Sequence, residues 1–273
     1  MKYVRDDHFG TLTAAFEAAQ ATGEWKRKGF AQAENNHAKG TWSGGTHEMA
    51  ATWATQGWPE GVSKARARAE SIATRLLGTT GITPTVDFTS DVMGGCYDVG
   101  AYVAGEPECW LRLEPSVSKR AITIGTCIGV SAAVAIQTMI DRGIAVSALV
   151  MALQAAGYPV TVDVTYVQNN RRGTECTTVR VADASTGSPL DLDRVVFAMA
   201  HPTMFRILMR CITAGDDLGG GSVWDRGHTL SDEVPTGRKY DLYLGGISYA
   251  DASRWQNPEA WIVSEYLRQT GVQ

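Results

Sequence analysis

The sequence predicts an α/β protein: a mainly parallel sheet covered by helices, with an N-terminal helical region and a small β-hairpin element. Three observations lead there. Residues 121–167 run as a short apolar strand, an apolar helical stretch and an alternating β-branched strand, the order of a parallel strand, crossover, strand unit. Residues 1–80 show helical periodicity between Gly-rich loops, and four of the eight tryptophans fall before residue 60. A chain of 273 residues with 44% apolar and 20% charged side chains is also large enough to bury a substantial core. The expected division is a Trp-rich helical region over 1–80 and a sheet domain over 81–273.

The first helix is expected over residues 12–20, where Leu12, Ala15, Phe16 and Ala19 share a face and Gly23 follows as a stop. Residues 25–30 and 38–45 are Gly-rich and aperiodic, reading as loops anchored by their aromatic side chains. Thr46 is placed to cap a helix reaching Gln56, and Gly57 ends it. Pro59 opens the next helix at a position where its missing N–H costs nothing. That helix turns Val62, Ala65, Ala69, Ile72, Ala73 and Leu76 inward and spreads Lys64, Arg66, Arg68 and Arg75 over the rest. Residues 97–103 and 109–113 alternate in polarity around Gly105 and Pro107, which predicts a hairpin or small sheet.

Residues 121–127 have strand length, and 131–141 and 144–156 read as two helical segments divided at Gly143. Gly157 closes the second, Pro159 stands at the edge of a strand over 160–167, and the turn at 169–173 lets 176–182 return antiparallel. After a loop at 183–189, Asp191 or Asp193 starts a helix that Pro202 breaks before a second helical run over 204–212. Residues 215–237 form a long polar, Gly-rich loop, mobile or ordered by a partner. A last strand at 241–247 and a closing helix at 258–269 complete the pattern.

A net charge of −4 and a pI near 5.8 exclude a surface that is basic overall, so nucleic-acid binding would need a local patch. Cys96, Cys109, Cys127, Cys176 and Cys211 are scattered without a Cys-x-x-Cys pair, which fits a reduced compartment. Residues 1–7 lack the apolar run of a signal peptide, and the longest apolar stretch, 144–156, is interrupted by Ser147 and Gln154. A cytoplasmic protein without a membrane partner is expected.

The commonest nucleotide, hydrolase and zinc signatures are absent. No pair among His8, His37, His47, His201 and His228 has helical metal-ligand spacing, and no metal or cofactor is expected. Asp216, Asp217, Asp225, Asp232 and Glu233 crowd the long loop in a spacing that matches no calcium loop. The best pocket candidate is the strand-to-helix turn with Gly125, Thr126, Cys127, Gly129 and Ser131, where open α/β sheets bind ligands. Cys127 offers a nucleophile there, with His201 or an acidic residue as its partner. A second candidate interleaves basic and aromatic side chains, Trp25, Lys26, Arg27, Lys28, Phe30, Lys39 and Trp42, as single-stranded nucleic-acid binders do.

The stretch from Ile122 to Val167, with its strand, polar turn, paired helical segments and the run 148–162, resembles the opening strand, helix, strand of von Willebrand factor A-like domains. The resemblance implies a von Willebrand A-like or Rossmann-like sheet. That family's metal turn reads Asp-x-Ser-x-Ser, whereas this turn offers Gly125, Thr126, Cys127 and Ser131 without an aspartate, implying a degenerate metal site. The whole chain, with Gly57-Trp58-Pro59-Glu60-Gly61, Asp141-Arg142-Gly143, Ala200-His201-Pro202 and the Trp261-Ile262 helix, resembles uncharacterised proteins encoded by tailed bacteriophages.

The leading functional expectation is a phage-encoded, non-enzymatic, oligomeric interaction or assembly protein, acting in the host cytoplasm on copies of itself or on other phage or host proteins. Its expected contact surfaces are loop 215–237 and the Trp-rich N-terminal helices. The alternatives are an enzyme or nucleotide-binding protein using the 125–131 turn, and single-stranded nucleic-acid binding through residues 26–42.

Overall fold

The computed structural model describes residues 5–22, 25, 43–80, 87–91, 96–114, 120–130, 134–170, 173–187, 190–214, 237–247 and 257–271. The protein is α/β. Strand β1 (Arg5–Phe9) leads into α1 (Leu12–Ala21), where the Thr11 hydroxyl caps the Ala14 amide at 3.1 Å. Thr46 caps the Met49 amide in the same way at the start of α2 (His47–Gln56). Gly57 ends α2 at φ 82°, and α3 (Pro59–Thr80) begins two residues later with proline in its first turn.

A small three-stranded sheet follows, built from β2 (Asp87–Asp91), β3 (Cys96–Tyr97) and β4 (Trp110–Glu114). Strand β4 lies in the middle and pairs antiparallel with both others. Between β3 and β4 stands a one-turn helix, α4 (Val99–Val103), where alternation alone predicts a strand. The Asp98 carboxylate decides the outcome by accepting from the Gly100 and Ala101 amides at 2.8 and 3.1 Å.

The main sheet joins β1 to β5 (Ile122–Cys127), β6 (Val160–Asn170), β7 (Gly173–Ala182) and β8 (Leu242–Leu244), in the order β1-β7-β6-β5-β8. Strand β5 is parallel to both β6 and β8, β6 and β7 form an antiparallel hairpin, and β1 is parallel to β7. The sheet is therefore mixed and mostly parallel. The expected strand, crossover, strand unit is present, and β1 is an addition that the charged run Arg5-Asp6-Asp7-His8 conceals from a periodicity argument.

The crossover is one helix rather than two: α5 (Ile136–Ala155) runs unbroken through Gly143 and starts later than Ser131. Gly143 is needed for a close approach, because a Cβ there would strike the Ala200 backbone and the Met199 carbonyl of α6 (Leu192–Ala200). Helix α5 also packs on α3 and on α8 (Pro258–Thr270), and 67% of its apolar stretch is buried inside the fold. It is long and apolar enough to cross a membrane, yet it serves here as the core helix. Beyond Pro202 the chain bends by 69° into a π-helical turn, Met204–Met209, that continues as α7 (Arg210–Ala214).

The strand pattern separates two faces. On β6, Val160, Val162, Val164 and Tyr166 join the core with the helices, as period-two alternation requires. Asp163 and Thr165 point the other way, where Asp163 pairs with Arg180 at 2.9 Å and Thr165 meets the Tyr243 hydroxyl at 3.1 Å. Arg238 clasps this polar face by bonding Thr178 and pairing with Asp6 at 2.8 Å, and Tyr240 reaches Asp163 at 3.3 Å.

Candidate functional site

The described part of the turn after β5 is buried. Thr126, Cys127, Ile128, Gly129 and Val130 are all buried. Ile128 donates to the Thr165 carbonyl, Ile247 donates to the Gly129 carbonyl, and Val130 bridges Ile247. Gly125 leaves room for the stacked rings of Tyr240 and Tyr243, whose carbons would lie 2.7–2.9 Å from a Cβ at that position. Ser131 lies outside the described residues. The cavity beside the turn measures about 10 Å³, room for about one water molecule, between Ile128, Val130, Met139, Arg142, Phe205 and Ile247. Among the described residues, the side chains of Ile128, Val130, Met139, Phe205 and Ile247 fill the space beside this turn.

Burial pushes the Cys127 thiol above its ordinary range, against smaller opposing effects from the Gly129 backbone and Arg142. A thiol kept protonated in this way is a poor nucleophile. His201, at the break between α6 and the π-helical turn, shares no hydrogen bond with Cys127 among the described residues. Its Nδ1 accepts from the Thr203 amide at 3.2 Å and lies 2.9 Å from the Thr203 hydroxyl, while Trp53 and Trp58 flank the ring at 4.1 and 4.7 Å. Burial lowers the His201 pKa to about 4, outweighing the nearby Glu60 carboxylate. The ring is neutral at physiological pH and caps an aromatic cage.

Three guanidinium groups, from Arg142, Arg206 and Arg210, are buried near this end of the sheet. Arg142 holds the chain after β8 by donating to the Leu244 and Gly245 carbonyls at 3.3 and 2.6 Å. Arg206 donates to the Val134 carbonyl, and burial together with Arg210 lowers its pKa to about 10. These contacts tie backbone segments to one another around the buried turn.

Of the basic and aromatic N-terminal group, Trp25 stands edge-on to Phe16 and His47, with ring centres 5.6 and 5.0 Å away, which locks it into the corner between α1 and α2. Lys26, Arg27, Lys28, Phe30, Lys39 and Trp42 lie outside the described residues, as do residues 215–236 with their acidic groups. No group of three or more His, Cys, Asp or Glu side chains among the described residues is arranged to hold a metal ion.

The surface feature that stands out is α4 with the start of β4. Val99 is 65% exposed, Tyr102 64%, Val103 80% and Trp110 37%. These are four of the five exposed large apolar side chains among the described residues, all within a dozen positions. The knob is rigidly built: Asp98 caps its start, the Asp98 amide donates to the Cys109 carbonyl at 2.8 Å, and Glu106 donates back to Ala101 at 3.0 Å. Asp98, Glu106 and Glu108, in the same segment, are exposed as well. Asp98 followed by Gly105 is a readable helix start and stop, the signal that could have found this element in the sequence.

A family model described as Domain of unknown function (DUF7192) matches residues 4–273. The chain belongs to that family. Comparison with curated proteins finds no match, and comparison with solved structures finds none. The DUF7192 match spans the five-stranded sheet and the three-stranded one alike, so the apolar knob lies within the family domain and is not an appendage to it.

Proposed function

We propose that this DUF7192 protein is a non-enzymatic interaction or assembly protein that associates with further copies of itself through the α4 knob. The observation that carries the reading is the concentration of exposed apolar side chains at Val99, Tyr102, Val103 and Trp110. Clustered apolar surface with a polar rim marks contact sites on otherwise polar proteins. The exposed carboxylates of Asp98, Glu106 and Glu108 favour a cationic counterpart, and the chain carries an exposed cation on α3, Arg66. Arg66 enters no ion pair among the described residues. A knob meeting a different surface of the next copy is a heterologous contact, which closes into a ring or runs on as a filament. The phage assembly role that the sequence resemblance implies fits such a contact, with the β5, α5, β6 unit as a von Willebrand A-like frame that binds no metal at its turn.

Sedimentation velocity across a wide concentration range tests the reading. The wild type is expected to sediment as an oligomer that dissociates as salt is raised, and Val103→Asp is expected to sediment as a monomer with an unchanged melting temperature. A wild type that stays monomeric at every concentration, or an oligomer indifferent to Val103→Asp, would overturn it.

A further inference from the structure

At the end of the main sheet opposite the buried turn, β1 and β7 run side by side and both finish at a cleft of about 500 Å³. Ligands of open α/β sheets sit outside the carboxyl ends of parallel strands, and at this end, unlike at β5, the space is open. Its size lies within the range of about 300–1,000 Å³ typical of small-molecule sites. Leu12, Val181 and Leu190 supply apolar wall. Gly10 and Gly187 line the cleft, and a Cβ added at either would meet nothing within 4 Å.

The charged groups of the lining are not equivalent. Arg180 is already engaged by the carboxylates of Asp163 and Asp183. The Asp183 and Asp191 carboxylates accept from the Ser185 and Arg194 amides, and the hydrogen bonds from Ser185 hold Asp183 below the ordinary carboxylate range. Thr11 and Asp191 likewise cap α1 and α6, so the helix ends are satisfied from within the chain. Arg194 differs. It donates from Nε to the Ala54 carbonyl at 3.1 Å and from Nη2 to the Thr13 hydroxyl at 2.6 Å, both neutral oxygens. No ion pair engages it among the described residues, and the two contacts hold its guanidinium in place.

We propose that this cleft binds a small organic carboxylate with an apolar body, the carboxylate on Arg194 and the body against Leu12, Val181 and Leu190. The site is independent of the α4 knob. Calorimetric titration of the full chain with 1-naphthoate, and with the neutral 1-naphthylmethanol, tests it. Naphthoate is expected to bind about tenfold or more tighter, the difference a charge-assisted hydrogen bond supplies. Gly10→Phe, which adds an aromatic ring to the cleft lining at a backbone position open to side chains, should weaken binding without lowering the melting temperature. Arg194→Gln should erase the preference for the carboxylate, while Val103→Asp should leave binding intact. Absence of naphthoate binding, equal affinity for both probes, or undiminished binding to Gly10→Phe would each overturn the assignment.

Discussion

His201 shows how one buried side chain sets a pH dependence without taking part in chemistry. Between its ordinary pKa of 6.5 and its lowered value of about 4, the unfolded chain takes up a proton that the folded chain refuses. Stability is therefore complete above pH 6.5 and falls as pH drops through that window, by up to about 3 kcal/mol from this group. Urea unfolding at a series of pH values should show the wild type losing more stability than His201→Gln between pH 6.5 and 4. Equal slopes for the two proteins would contradict the buried neutral ring. That His201 lies at a helix break was legible from Pro202; that Trp53 and Trp58 enclose it was not, because their meeting depends on how α2 and α3 dock on α6. Cys127 was legible as a strand-end residue beside a turn. Its burial depends on Thr165 and Ile247, which lie far away in the chain and carry no mark of their partner.

Among the elements, α5 is the most instructive. Periodicity finds its apolar residues, and helix propensity suggests a division at Gly143, because glycine lowers helix stability. Tertiary packing overrides that preference, since only a hydrogen side chain lets α5 approach the Ala200 backbone. Gly143→Val should cost about 1–3 kcal/mol in chemical denaturation by forcing α5 and α6 apart, despite the better core volume it offers. A neutral or stabilising result would show that the helices can separate freely. Strand β6 was readable because Val160, Val162 and Val164 alternate with Thr161, Asp163 and Thr165 along a buried run. Strand β1 was not, for it is an edge strand of charged residues whose pairing partner, β7, lies more than 160 positions later. Helix α4 was misjudged because two-residue alternation over 97–103 outweighs, on paper, the single carboxylate of Asp98 that turns the chain into a helix.

For the molecule as a whole, the two edges of the main sheet are poorly suited to recruiting another strand. At one edge β1 is short and charged, and at the other β8 spans only three residues. Association through sheet extension is thereby disfavoured, and the exposed apolar surface of the small sheet becomes the natural point of contact. The two ends of the main sheet also differ in the space they leave. At the carboxyl end of β5, apolar side chains and Arg142 close the space; at the carboxyl ends of β1 and β7 it stays open beside Arg194. The proposed contact and the proposed ligand cleft lie apart, the knob on one sheet and the cleft on the other.

Hydrogen exchange compared between dilute and concentrated wild-type protein tests self-association through the knob most directly. On concentration, slowed exchange is expected at residues 98–110 and on the exposed face of α3 around Arg66, with the rest of the chain unchanged. Identical exchange at both concentrations, or new protection confined to other surfaces, would contradict the proposed contact.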